Sequence, residues 1–210
     1  MRVRTTVVSA ALLLAALTAC GGGGSDKADP KQPDKASAQP QSDGDGQEPS
    51  AAPEKGLAFG KPAQTTGDGG TGVLEITPDT VVFTKEASSE TAANGVFVVI
   101  TMKDKAMTAV AADEPAPIGG GGWKWMAPDG EMVGFDTGNS SNVTMDRYNN
   151  ADPVQPGSYQ WRSQVFDLTS AQAKGGTLIY IDGAEKAFRW EMPSTDTGPN
   201  VAEVKKQLAS

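Results

Sequence analysis

Gly95-Val96-Phe97-Val98-Val99-Ile100-Thr101-Met102-Lys103 is the stretch that decides the fold class. β-branched and aromatic residues dominate it, and through Ile100 they fall on both alternating faces. A strand that is apolar on both sides needs cover on both sides, so this one is predicted to run through the middle of a sheet.

The neighbouring segments read the same way. On the N-terminal side, Thr71-Gly72-Val73-Leu74-Glu75-Ile76-Thr77 and Thr80-Val81-Val82-Phe83-Thr84 are strand formers, with Pro78-Asp79 as a kink or bulge between them. On the C-terminal side, Trp123-Lys124-Trp125-Met126 and Glu131-Met132-Val133-Gly134-Phe135 flank Ala127-Pro128-Asp129-Gly130, the chemistry of a hairpin turn. Ser158 to Leu168 is predicted as one long strand, followed by a weak helical turn near Leu168 to Lys174. Thr177-Leu178-Ile179-Tyr180-Ile181 and Lys186 to Met192 form a closing hairpin around Asp182-Gly183, with Phe188, Trp190 and Met192 on one face. About seven or eight short strands without a convincing amphipathic helix predict an all-β fold, a single antiparallel β-sandwich. Residues 57–193 are assigned to it, and residues 194–210 to a polar C-terminal tail.

Composition narrows the chemistry. The chain carries 18 Lys+Arg against 26 Asp+Glu, a net charge of −8, so it has no electrostatic footprint for nucleic acid. It has no histidine and one cysteine, which removes Ser-His-Asp catalysis, Cys/His zinc sites and structural disulfides. No cofactor or metal is expected. An enzyme would have to work with paired carboxylates drawn from Asp129, Glu131, Asp136 and Asp146, so the chain is not expected to be one.

The N-terminal quarter has a different character. Arg2 and Arg4 precede an apolar run from Val7 to Leu17, and small residues Thr18 and Ala19 follow, the three parts of an export signal over residues 1–19. The run is shorter than the roughly 20 residues of a spanning helix. Residues 20–56 are predominantly Gly, Ser, Asp, Lys, Gln, Pro and Ala and are predicted to be a flexible linker, with an r.m.s. span of roughly 30–36 Å.

Leu17-Thr18-Ala19-Cys20 resembles the lipobox of bacterial lipoproteins. That resemblance implies a diacylglycerol on the Cys20 sulfur, cleavage before Cys20, and a protein held on the extracytoplasmic face of the cell membrane. Two or more acyl chains give stable anchoring where one does not. Cleavage would also remove Arg2 and Arg4, leaving 16 Lys+Arg against 26 Asp+Glu.

Three stretches resemble a family of Gram-positive, actinobacterial-type lipoproteins. These carry a leader, a polar linker and one Ig-like domain of unknown function, and are related to the mycobacterial secreted immunogenic Ig-like proteins. They are Gly95 to Lys103 with Lys103-Asp104-Lys105; Trp125-Met126-Ala127-Pro128-Asp129-Gly130-Glu131; and Gln155-Pro156-Gly157 leading to Gln164-Val165-Phe166-Asp167-Leu168. The resemblance implies an Ig-like sandwich used as a binding or interaction module, its partner an unidentified protein or cell-wall component. It carries no catalytic or ligand residues to transfer. A structural subunit docked on a membrane complex and a carboxylate-based wall-glycan hydrolase are the alternatives.

Two places could form a contact site. Trp123 and Trp125 stand two apart on one strand face after a glycine run, and are either an exposed stacking platform or core. Asp136 to Asp152 is the longest turn-rich segment, either a solvated loop or a recognition surface, and holds Asp146, Arg147 and Tyr148. Loops cluster at the ends of a sandwich, so the hairpin and this segment are expected to share one surface. Trp161 and Trp190 are read as core.

Overall fold

The computed structural model describes residues 56–116 and 120–210. The leader, Cys20 and all of the linker but Gly56 lie outside the described residues. Among the described residues no helix is long and apolar enough to cross a membrane.

The fold is a β-sandwich. One sheet is built on three long strands, β3 (Val73–Thr84), β6 (Val96–Ala106) and β9 (Tyr159–Leu168), edged by β2 (Ala63–Thr66), in the order β2-β3-β6-β9. The facing sheet has the order β1-β11-β10-β7-β8, with β1 Leu57–Ala58, β7 Gly122–Met126, β8 Met132–Val133, β10 Thr177–Ile181 and β11 Ala187–Glu191. A two-residue hairpin, β4 (Glu86–Ala87) and β5 (Glu90–Thr91), projects from the end of β3. From β6 the chain crosses to β7 and β8, returns as β9 beside β6, and crosses again to β10 beside β7 before β11. This is the Greek-key order of an immunoglobulin-type sandwich. One pairing departs from the expected antiparallel pattern: β1 lies parallel to β11, with Leu57 opposite Trp190.

Pro78 and Asp79 do not divide two strands. β3 runs through them, and its register against β6 slips between Pro78 and Thr80. Such a bulge bends a strand and re-aims its side chains. Here the bend turns Asp79 and Thr80 toward the C-terminal segment. Asn200 donates from Nδ2 to Asp79 Oδ2 at 3.1 Å and from its backbone N to Thr80 Oγ1 at 3.2 Å.

The inter-sheet core follows the alternation of the strands. Val98, Ile100 and Met102 from β6 and Phe166 and Leu168 from β9 face Trp123, Trp125, Leu178, Tyr180 and Trp190 from the other sheet. The tryptophan N–H groups find backbone or carboxylate oxygens: Trp125 on Gln172 O at 2.9 Å and Trp190 on Lys61 O at 2.8 Å. Gly176 is glycine because a Cβ there would stand 2.3 Å from the Trp125 ring.

A second apolar layer covers the far side of the four-stranded sheet. Val82, Phe97, Val99 and Val165 point outward and are buried by Val143, Met145 and Tyr148 and by Val204 and Leu208. The last two belong to helix α2 (Val201–Leu208). The polar-tail reading of 194–210 is therefore corrected. Thr197 bridges Val81 through two backbone hydrogen bonds of 2.8 and 3.0 Å, which shields the edge of β3 beyond β2, and α2 then packs across the sheet. The short turn expected near Leu168 to Lys174 is helix α1 (Ser170–Ala173), opened by a Thr169–Gln172 capping box.

Candidate functional site

Trp123 and Trp125 do not form a platform. They are 4% and 0% exposed, because both face the inter-sheet core. Trp123 lies 4.6 Å from Tyr180 and Trp125 5.9 Å from Phe166, centroid to centroid. The Asp136 to Asp152 segment is corrected as well, since it is not a solvated loop. It folds through two 3-10 turns, Ser140–Asn142 and Asp146–Tyr148, and buries Val143, Met145 and Tyr148. The buried carboxylate of Asp167 anchors its start by accepting from Asn139 N at 2.9 Å, and also from Ala93 N at 2.7 Å and Asn94 N at 2.9 Å. Gly138 has φ +56° and a Cβ there would collide with that carboxylate. Tyr148 is 1% exposed while Asp146 and Arg147 are exposed. The tryptophan pair lies between the sheets and the Arg147 segment lies outside the four-stranded sheet, so the two do not share a surface. Asp146 is likewise parted from Asp129 and Glu131, which sit at the β7–β8 turn.

Arg147 has other company. Its guanidinium lies 5.5 Å from the ring centroids of both Tyr148 and Trp161. Trp161 is only half-buried and points outward, correcting its assignment to the core; Arg162 takes the inward position instead. Tyr159, two residues before Trp161 on the same face of β9, meets it edge-on at 6.2 Å and is 53% exposed. Lys103, across from Trp161 on β6, lays its ammonium 4.2 Å from the Tyr159 ring centroid. Lys105, across from Tyr159, is exposed. The result is a row of cation–aromatic contacts from Lys103 through Tyr159 and Trp161 to Arg147, braced from below by Tyr148. Among the described residues none of the three cations is in an ion pair. Glu75 stands across from Lys105 on β3. Cations held on ring faces stay oriented yet solvent-accessible, which suits recognition of an anionic group.

A second cluster lies inside the sandwich, where β6 and β9 approach the Ala111–Ala116 segment. Arg162 is buried and gathers three carboxylates: Asp113 at 2.9 Å, Asp104 at 3.6 Å and Glu114 at 3.9 Å. It also donates to Asp152 O at 2.7 Å. Glu114 accepts the Trp123 indole N–H at 2.9 Å. Both Asp104 oxygens, Glu114 Oε1 and the Tyr180 hydroxyl are buried with no hydrogen-bond partner. Burial, reinforced by the Glu114 charge, pushes the Asp104 carboxyl well above the ordinary range. Burial raises the Tyr180 hydroxyl too. Burial pulls the Arg162 guanidinium down, but Glu114, Asp104 and Asp113 together more than offset this and hold it charged. Among the described residues no group of three or more His, Cys, Asp or Glu side chains is arranged to hold a metal ion.

The sequence held signals for both places. The surface row could be found from Tyr159 and Trp161 at i and i+2 facing Lys103 and Lys105 at the same spacing on the neighbouring strand. The buried cluster announces itself only through Asp104, at an inward position on the otherwise apolar inner face of β6, and Arg162, on the inner face of β9. No family model, curated protein or solved structure matches the chain.

Proposed function

We propose that the chain is a lipid-anchored surface protein that presents its β-sandwich as an interaction module outside the cell membrane. The lipobox-like Leu17-Thr18-Ala19-Cys20 and the polar segment that follows support the anchoring, and with it the reading of an Ig-like lipoprotein. The contact face is the open half of the four-stranded sheet, and its partner is a surface or wall component bearing acidic groups. One observation carries this: Tyr159 is exposed on a rigid strand with Lys103 and Arg147 at either end of its aromatic row, in a protein of net charge −8. On so acidic a surface, unpaired cations beside exposed aromatic rings are the feature best matched to selective attraction.

The anchor is tested by mass spectrometry of the membrane fraction. A thioether-linked lipid on Cys20 is expected, with Cys20→Ser exported but unacylated; an uncleaved, unmodified protein in the membrane sinks the lipoprotein reading. The contact face is tested by detergent solubilisation and co-purification with the intact chain. Tyr159→Ala and Lys103→Glu should each lose the recovered partner, and recovery unchanged by both places the site elsewhere.

A further inference from the structure

We propose that the buried Asp104 carboxyl keeps its proton and donates it in a hydrogen bond to Glu114, and that this bond latches the Ala111–Glu114 segment across the end of the sandwich. The inference is independent of the surface row and rests on counting charges and donors. Three carboxylates, Asp104, Asp113 and Glu114, surround one guanidinium, Arg162, whose side chain is 9% exposed. Asp113 is 35% exposed and screened by water, but Asp104 and Glu114 are 0% and 16% exposed, so with both ionised the interior would hold one negative charge that Arg162 does not compensate. A charge buried without a partner costs far more than the neutral form, so one carboxyl keeps its proton.

The unsatisfied atoms say which one. Asp104 is 0% exposed and has no hydrogen-bond donor on either oxygen, while Glu114 Oε2 already accepts from Trp123 and Glu114 Oε1 is left over. Two carboxylates cannot bond each other, whereas a neutral carboxyl can donate one O–H to its neighbour. With the proton on Asp104, its O–H donates to Glu114, which uses one Asp104 oxygen and Glu114 Oε1 and leaves the other Asp104 oxygen to the Arg162 guanidinium.

The latch matters because of what Glu114 is attached to. Asp104 is fixed in β6. Glu114 belongs to a segment outside both sheets, secured elsewhere by the paired backbone bonds of Ala112 and Val154, at 3.1 and 2.8 Å, and by Asp68 N on Asp113 O at 2.8 Å. Under the segment lie Trp123 of β7, Tyr180 of β10 and Arg162 of β9. Thr65, from β2, lies near the Tyr180 hydroxyl while donating its own to Leu74 O at 3.3 Å, and the Asp182 charge also acts on Tyr180. Asp113 and Arg162 are the further charges that act on Asp104, the first raising and the second lowering its value. When pH rises enough to remove the Asp104 proton, it passes to solvent and two like charges face each other across the joint between strand and segment. The folded state holds a proton that the opened state releases, so closure is favoured in acid and weakens as pH rises through the raised Asp104 value. A segment that opens exposes the Trp123 indole.

Amide hydrogen exchange on the full chain from mildly acidic to mildly alkaline pH tests this. After correction for intrinsic exchange, the amides of residues 111–114 should open more as pH rises, by up to about tenfold per pH unit, the slope of one linked proton. Asp104→Asn, which can donate at any pH, should flatten that slope, and Glu114→Gln should do the same. A slope absent in the parent chain, or retained in both variants, overturns the proposal. So does protection conferred on the parent chain, but not on Asp104→Asn, by added calcium, since a cation rather than a proton would then fill the joint. Should the variants fail to fold, carboxyl-carbon NMR of the parent chain decides. A carboxyl of Asp104 still protonated well above the usual range supports the latch, and one titrating in that range overturns it.

Discussion

Along β6 the outward side chains Phe97, Val99 and Thr101 lie beneath α2 and the 139–150 segment, whereas Lys103 and Lys105, on the same face of the same strand, reach solvent. β9 repeats the division: Val165 is covered, Trp161 is half-covered and Tyr159 is open. The pairing of β6 with β9 is unbroken across the boundary, while β3 bulges against β6 opposite Thr101 and Met102, so along β6 and β9 the difference follows the side chains. Where they are apolar, two polar-looking segments have been recruited to cover them. Where they are cationic, no described segment caps them, because covering Lys103 and Lys105 would strip water from two ammonium groups. The covered half extends the core, and the open half stays accessible to solvent.

The sharpest way to break this comparison is at its most buried point. Phe97→Ala removes a fully buried ring from beneath the outer layer and should cost about 3–5 kcal/mol, measured by urea unfolding. A loss below about 1 kcal/mol would show that the outer layer closes easily over the gap and is not a true core. Leu208→Ala tests the same layer from the helix side and should cost about 2–3 kcal/mol, near the low end for a buried leucine, because the last turn of a helix can shift to fill space. A stability unchanged by that substitution would restore the polar-tail reading of residues 194–210.

What the sequence disclosed tracks how local the signal is. The double-faced apolar run of β6, the Ala127 to Gly130 turn and the Asp182 turn depend on neighbours in the chain, and each appears where expected. Helix α2 was missed because its apolar stripe is only Val201, Val204 and Leu208 amid charged residues. That spacing is helical, but three residues become meaningful only when a sheet face needs cover. The register of β9 was ambiguous because both of its faces mix polar and apolar residues: Tyr159, Trp161, Ser163 and Val165 against Gln160, Arg162, Gln164 and Phe166. Hydrophobicity favoured Trp161 as the inward residue. Phe166 and Leu168, fully buried between the sheets, fix the parity of the strand and place Arg162 inward, where Asp104, Asp113 and Glu114, none visible as partners in the sequence, meet its charge. The surface row follows from that one decision of register.

The open half is sharpened by a substitution that should scarcely affect stability. Tyr159 is 53% exposed, its contacts being an edge to Trp161 and the ammonium of Lys103. Exposed pairs of this kind contribute about 0.5–1 kcal/mol, and surface substitutions away from buried groups usually stay within about 0.5 kcal/mol. Tyr159→Ala should therefore leave the urea midpoint nearly unchanged while abolishing partner recovery, the reverse of Phe97→Ala, whose lesion lies on the same face toward the other end of the neighbouring strand. Lys103→Ala should act more weakly, and its effect should shrink as salt is raised, because the ammonium is solvent-facing and its attraction to an acidic group is screened. A Tyr159→Ala variant that unfolds several kcal/mol more easily would mean that the ring supports the sheet, and the boundary between the covered and open halves would move to Lys105.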